Sequence, residues 1–226
     1  MKKLIVGTTN DYFPYSYKNG NGFIGYDIEM CEILGKYLGI KMEYQGYENV
    51  SDIILAIKKK EVDLIASGLS IISKHLEQGI SFVPYGNCPY YSLLVNNEHK
   101  YLENWSELDN SNMVVAAAHD TIAEKIAKEM FKDASINKYE QIPLREALIR
   151  KKVDAIIINE NWAKTNHIKN ADDFIILEPN FKQVSNLGIG YARNNHDLMD
   201  KLWKFALRYA NSQEQTTNNK KWLINA

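Results

Sequence analysis

Residues 56–65 read AIKKKEVDLI, and residues 147–156 read ALIRKKVDAI. The two decapeptides carry the same or a chemically similar residue at most positions, and they lie 91 residues apart. In each, basic residues close a helix and a Val-Asp pair opens an apolar strand. Cations in the last turn of a helix are favoured by its dipole. Upstream of the first copy, LIVGT (4–8) reads as a buried strand. A helix follows through Leu38, with Asp27 expected as its cap, Ile28, Cys31, Leu34 and Leu38 on one side, and Gly39 as its stop. KMEYQ reads as a strand, Asn49 or Ser51 starts a helix ending in Lys58–Lys60, and VDLIAS is the next strand. Upstream of the second copy, MVVAAA (113–118), TIAEKIAKEMF (121–131) and NKYEQI repeat the pattern. PLREALIRKK, opened by Pro143, and VDAIII complete it. Two β-α-β-α-β runs predict an α/β protein with two similar lobes, each a parallel-type sheet flanked by helices.

The remaining segments assign the connections. NDYFPYSYKNGNGFIGYD is rich in turn residues, and its Asn-Gly steps predict a tight hairpin. Residues 195–210 form a helix with Leu198, Leu202, Phe205 and Tyr209 at helical spacing, and a short helix ends at Trp222–Leu223. PYYSLLVNN (89–97) and SNLGIGYARNN (185–195) are two extended crossovers. The expected division is lobe 1 from 1–90 plus 192–226, lobe 2 from 95–186, and a hinge at the crossovers with a cleft between the lobes. A chain of 226 residues accommodates two such lobes.

Composition narrows the function. With 45% hydrophobic and 24% charged residues the chain is an ordinary folded protein, not a disordered one. Its 27 basic and 28 acidic residues leave a net charge of −1, which gives no support for the basic face of a nucleic-acid binder. No apolar run approaches the roughly 18 residues of a membrane span. The apolar stretch of MKKLIVG is too short for a signal-peptide core, so the chain is either cytoplasmic or a mature form whose export signal has been removed. Cys31 and Cys88 stand apart and are expected as inert thiols. The five histidines, 75, 99, 119, 167 and 196, have no metal-ligand spacing, and no metal or cofactor is expected. Gly20–Gly25 satisfies GxGxxG, but ten or more residues and the expected hairpin separate it from the first strand, whereas a dinucleotide loop follows its strand directly.

Open α/β sheets bind ligands beyond the carboxyl ends of their strands. Those ends are Thr8–Phe13, which include Asp11 and Tyr12, and the segment Ser67-Gly68-Leu69-Ser70. In the second lobe they are His119-Asp120-Thr121 and Asn159-Glu160-Asn161-Trp162.

These motifs together resemble the family 3 extracellular solute-binding proteins, the amino-acid-type receptors of ABC importers. GYDIEMCEILGKYL (25–38) fits the family signature. GTTNDYFPYSY, SGLSI, PYY, AEKIAKE and the terminal KKWL follow the family's order across nearly the whole chain. The resemblance implies a type II two-lobed fold, a small-molecule ligand, a permease partner, a monomer, and a periplasmic or extracellular-facing location. It also exposes departures. The family's SGxSxT is followed three residues later by an arginine that holds the ligand carboxylate, and Ile72 and His75 stand at the threonine and arginine positions. Asp120 replaces a glycine, and Asn159 replaces the aspartate that takes the α-amino group. A histidine offers one donor and partial charge where arginine offers a charged fork. Aromatic walls from Tyr12, Phe13, Tyr15, Tyr85, Tyr90 and Trp162, with hydrogen bonds from Ser67, Gly68, Ser70 and Thr121 and carboxylates nearby, suit an amine-bearing or cationic solute. Two other readings stay open: an enzyme resembling cyclohexadienyl dehydratase, whose catalytic glutamate position falls on Trp162, and a ligand-sensing domain.

Overall fold

The computed structural model describes residues 3–88, 90–119, 121–139, 141–169, 173–177 and 185–223. In chain order the elements are β1 (Lys3–Thr9), β2 (Asp11–Tyr12), β3 (Ser16–Asn19), β4 (Gly22–Ile24), α1 (Tyr26–Leu38), β5 (Lys41–Tyr47), α2 (Val50–Lys58), β6 (Leu64–Ile65), α3 (Ser73–Glu77) and β7 (Ile80–Cys88). They continue with β8 (Tyr91–Asn96), β9 (Val114–Ala118), α4 (Ile122–Met130), β10 (Ser135–Tyr139), α5 (Gln141–Ile149), β11 (Ala155–Asn159), α6 (Glu160–Lys169) and β12 (Phe174–Leu177). The last three are β13 (Ser185–Ala192), α7 (His196–Tyr209) and α8 (Gln213–Trp222). The chain divides into unit 1, Met1–Asn87 with Asn186–Ala226, and unit 2, Cys88–Ser185.

Unit 1 contains the sheet β5-β1-β6-β13-β7, and unit 2 contains β10-β9-β11-β8-β12. Each begins with three parallel strands in the order second-first-third, so each has a switch point beside its first parallel strand. The expectation of parallel-type sheets needs one correction. The fourth strand of each sheet is antiparallel: β13 against β6, and β8 against β11. These two strands come from the stretches read as crossovers. An extended apolar segment passing a sheet edge satisfies its backbone groups by joining the ladder, and both segments do so.

The repeated decapeptides fold alike in detail. In unit 1 the amide of Asp63 donates to the Ile5 carbonyl at 2.8 Å, while its carboxylate accepts from the Ile5 amide at 2.8 Å. In unit 2 Asp154 repeats both bonds with Val114, at 2.8 and 2.7 Å. Each aspartate thereby staples the start of one parallel strand to its neighbour. The preceding helices end alike, with Glu61 N bonded to Ala56 O and Lys152 N bonded to Ala147 O, both at 2.9 Å. Lys60 and Lys151 occupy the left-handed region at φ 59° and 54°. A lysine there carries a Cβ penalty that glycine escapes. Lys60→Gly is expected to stabilise the protein by about 0.5–1 kcal/mol, seen as a higher urea midpoint at unchanged slope; a midpoint that falls would overturn this reading of the helix end.

Each sheet is backed by an apolar cluster. In unit 1 Ile53, Ile57, Val62, Ile65, Leu69 and Phe82 pack together. In unit 2 Leu93, Val95, Val115, Ile126, Phe131 and Ile157 do the same. Gly39 ends α1 in the left-handed conformation at φ 65°, as its position predicts. The Asn-Gly hairpin is present, with Asn19 paired to Gly22 across a two-residue turn, and β2 extends it to three strands. Pro143 sits in the first turn of α5, where its missing N–H costs no helical bond. The helix begins at Gln141, two residues earlier than the strand NKYEQI allows, so β10 ends at Tyr139. The helix α6 is a correction: residues 160–162 were expected as an extended strand end, and Glu160 instead opens a helix.

Candidate functional site

In unit 1 the carboxyl ends of β1 and β6 are locked together by hydroxyls. Thr9 Oγ lies 2.7 Å from Ser67 Oγ and 3.0 Å from Ser16 Oγ, and the Thr9 amide donates to Ser67 Oγ at 3.1 Å. Thr8 Oγ donates to the Ala66 carbonyl at 2.6 Å. Ser67 is buried, and its hydroxyl is engaged in joining the two strand ends. Past it, Gly68 turns the chain at φ +60° against two rings. A Cβ on Gly68 would lie 2.7 Å from Tyr12 Cε1 and 2.8 Å from Tyr15 Cγ. The Tyr12 and Tyr15 ring centroids are 5.2 Å apart. Tyr12, Tyr15, Ser67 and Gly68 are therefore brought together.

The other expected residues of this unit are placed differently from one another. Asp11 is exposed at the head of β2, and Ser70 is half-buried, bridged to Leu187. His75 is buried on α3 with its ring 5.9 Å from Phe82, a member of the apolar cluster. Tyr85 is buried on β7, and its hydroxyl donates to Asp27 Oδ1 at 2.5 Å.

Asp27 is the residue that sequence reading misassigned. It does not cap α1: the N-cap is Gly25, and no side chain makes a capping bond there. The first amides of the helix are instead satisfied by backbone, Tyr26 N by the Pro14 carbonyl at 2.8 Å and Asp27 N by the Tyr15 carbonyl at 3.0 Å. The Asp27 side chain is thereby released to point inward. It is fully buried and accepts from the Gly68 amide as well as from Tyr85. Burial pushes its carboxyl up to about 7, against the lowering effect of those two donors. The Tyr85 hydroxyl is pushed up by burial and by Asp27. A sequence signal was available. Positions 27, 31 and 34 share one helical face, which places Asp27 on the buried stripe with Cys31 and Leu34. Cys31 is a free, buried thiol, raised by burial; the Cys88 side chain lies outside the described residues.

In unit 2 the two strand ends feed helix starts. Thr121 caps α4, accepting from Glu124 N at 3.4 Å and donating to the Ala118 carbonyl at 2.7 Å. Asn159 is buried at the end of β11, and its Oδ1 accepts from the Trp162 amide at 2.9 Å. Trp162 is only 6% exposed in the first turn of α6. Glu160 pairs with Lys164 one turn on. Asp120 lies outside the described residues. Beside Thr121, the buried Glu124 gathers Lys128 at 2.6 Å, Lys138 at 3.1 Å and His119 at 3.3 Å.

At the amino ends of β9 and β11, Glu98, His99 and Asp154 each place a donor atom within 4.8 Å of the others, the one group among the described residues that could hold a metal ion. Its donors already have partners. His99 Nε2 is 2.8 Å from Asp154 Oδ1, Val114 N donates to the other Asp154 oxygen, and Lys151 pairs with Glu98 at 2.5 Å.

Two parallel switch points, each with hydroxyl or amide side chains at the strand ends, are a small-molecule-binding architecture. The arginine-binding extracellular protein ArtP of Bacillus subtilis is 27% identical over 98% of this chain and 86% of its own length. The arginine-, lysine-, histidine-binding protein ArtJ of Geobacillus stearothermophilus superposes with a TM-score of 0.84 at 23% identity, covering 98% of this chain and 95% of ArtJ. An ancestral amino acid-binding protein, described as a precursor of cyclohexadienyl dehydratase, gives a TM-score of 0.82 at 22% identity over 98% of this chain and 95% of its own. The duplicated β-α-β-α-β arrangement is thus the two-lobed type II periplasmic binding protein fold. With the family model matching residues 4–225, the chain belongs to the bacterial extracellular solute-binding proteins, family 3.

Proposed function

We propose that this protein captures a small amine-bearing or cationic solute, amino-acid-like in size, outside the cytoplasm and delivers it to an ABC permease. Family membership over residues 4–225 is the observation that carries the reading. Closure of the two lobes about the chain crossovers is the mechanism that fits it: contacts from both lobes would stabilise the closed form over the open one. The ligand class rests on the residues at the strand ends. His75 stands where the family's carboxylate-holding arginine belongs, so a solute that depends on that fork loses its anchor. Tyr12 is the ring of this reading: it packs on the buried Tyr15 beside Gly68 and follows the exposed Asp11 in sequence, and a cation is attracted to a ring face. Thr121 and Asn159 are the second-lobe residues of this reading, with Asp120 beside them in sequence. Both contribute polar groups at helix starts.

We read the chain as a binding protein and not as a catalyst. Trp162, at the position corresponding to the dehydratase glutamate, is buried, and Glu160 is tied to Lys164. A monomer is the expected state, since capture and release need only one chain.

Thermal denaturation with added L-arginine, L-histidine, L-lysine and L-glutamate tests the ligand class. A solute at a hundredfold excess over its Kd adds about 2.7 kcal/mol. For a protein of this size that raises Tm by roughly 5–10 °C. A rise is expected with at least one cationic probe and none with glutamate. Tyr12→Ala should then cost about tenfold in affinity for that probe, the loss of one cation–π face. A rise with glutamate alone would overturn the ligand class, and unchanged affinity in Tyr12→Ala would move the site elsewhere.

A further inference from the structure

We propose that Asp27 is a positioning residue for solute capture: its buried carboxylate clamps the Gly68 amide and the Tyr85 hydroxyl together, and so sets the strand-end turn 67–70 against Tyr12 and Tyr15. The proposal rests on reading that turn as part of the solute site.

The geometry supplies the clamp. Asp27 projects from the first turn of α1, Gly68 begins the turn after β6, and Tyr85 lies on β7, the strand by which the chain leaves unit 1. One carboxylate therefore joins three elements through its two oxygens, Oδ2 to Gly68 and Oδ1 to Tyr85. Gly68 is the residue whose backbone packs directly on the Tyr12 and Tyr15 rings, so its position sets the shape of the aromatic surface. The hydroxyl lock of Thr9, Ser16 and Ser67 holds the strand ends but does not reach past Ser67. Asp27 extends the support by one residue. Further back, Asn218 Nδ2 on α8 donates to the Tyr26 carbonyl at 2.9 Å and bonds the Tyr209 hydroxyl at 3.0 Å, which fixes the start of α1.

The surroundings make the clamp sensitive to pH. The titratable groups acting on or with Asp27 are Tyr26 and Cys31 on α1, Tyr85 on β7 and Tyr209 on α7. All are acids that stay neutral near pH 7, and among the described residues no cation contributes to the charge state of Asp27. Both present partners are donors, so they favour the ionised carboxylate, while burial favours the acid. Ionised Asp27 accepts both bonds. Protonated, it carries a hydrogen on one oxygen and can accept fully on only the other, which loosens one arm of the clamp. With the folded carboxyl at about 7 and the ordinary value at 3.8, the clamp tightens as pH rises through neutrality. Folding stability moves the other way. The folded state binds the extra proton between those two values, so stability declines from acid toward pH 7 and is flat beyond it.

The test compares the wild type with Asp27→Asn and Tyr85→Phe from pH 5.5 to 8.5. One readout is the backbone amide resonance of Gly68 in labelled protein, and the other is titration calorimetry with L-arginine, L-histidine and L-lysine. In the wild type the Gly68 amide proton should shift downfield with a midpoint near 7 as its acceptor ionises. Affinity should rise severalfold over the same range. Asp27→Asn keeps an oxygen for Gly68 and keeps the fold, but should lose both pH transitions and bind three- to tenfold more weakly at pH 8. Tyr85→Phe removes one donor to the carboxylate and should move the Gly68 midpoint upward. A Gly68 resonance that does not titrate, or an Asp27→Asn protein that matches the wild type in affinity and pH profile, would overturn the proposal. Failure of all three amino acids to bind the wild type would overturn the ligand reading instead, while the Gly68 resonance still decides whether the clamp exists.

Discussion

Gly25→Ala should destabilise the protein by on the order of 3–5 kcal/mol, enough to leave little folded protein. Gly25 sits at φ 139° and ψ 176°, a region that only glycine occupies at low cost. A Cβ there would lie 2.3 Å from the Tyr15 carbonyl oxygen, 2.7 Å from the Tyr15 carbonyl carbon and 2.9 Å from the Pro14 oxygen. Those atoms cannot yield as a flexible side chain would. The same carbonyls accept from Tyr26 N and Asp27 N, so moving them also uncaps α1. Strain, steric conflict and lost caps act on one point. Denaturant unfolding of Gly25→Ala at unchanged slope is the measurement, and a loss below about 1 kcal/mol would show that the 14–15 segment can back away from the helix.

Gly68→Ala should reduce both stability and solute affinity. Its φ of +60° costs an L-residue about 1 kcal/mol, and overpacking adds about 1–3 kcal/mol. The new methyl group would press on Tyr12 and on Tyr15, and Tyr15 is fully buried, its ring centroid 6.3 Å from that of Tyr26 in an edge-to-face arrangement. Tyr15 is fully enclosed, so the methyl group displaces Tyr12, which is buried but retains 6% exposure. Affinity for whichever cationic amino acid raises the wild-type Tm should therefore drop by about tenfold or more, the equivalent of at least one aromatic face. Calorimetric titration at a temperature where the variant remains folded separates this from the stability loss. Wild-type affinity in a folded Gly68→Ala would place the solute away from the 67–70 turn.

Both substitutions probe positions that the sequence marked only in part. GYDIEMCEILGKYL identifies the helix and the family, yet the role of Gly25 depends on carbonyls ten and eleven residues earlier in the chain. Ser67 follows a strand, and its hydroxyl is engaged with Thr9, 58 residues away in sequence. His75, aligned with a charged ligand contact, packs beside Phe82. Asn159 serves the first turn of α6, a helix that the sequence does not announce because ENWAKTNHIK has no continuous apolar stripe.

Local chemistry was enough to determine the helices of both repeats, the left-handed stop at Gly39, the Asn-Gly turn and the duplication carried by AIKKKEVDLI and ALIRKKVDAI. These depend on periodicity, caps and turn residues within a few positions of one another, and that information is written consecutively along the chain. Tertiary structure alone decided that β13 and β8 enter the sheets antiparallel, that Asp63 and Asp154 staple neighbouring strands, and that Asp27 abandons its helix terminus for Gly68 and Tyr85. Each of those is a hydrogen bond between groups 40 or more residues apart, whose partner is chosen only when burial removes water as the alternative.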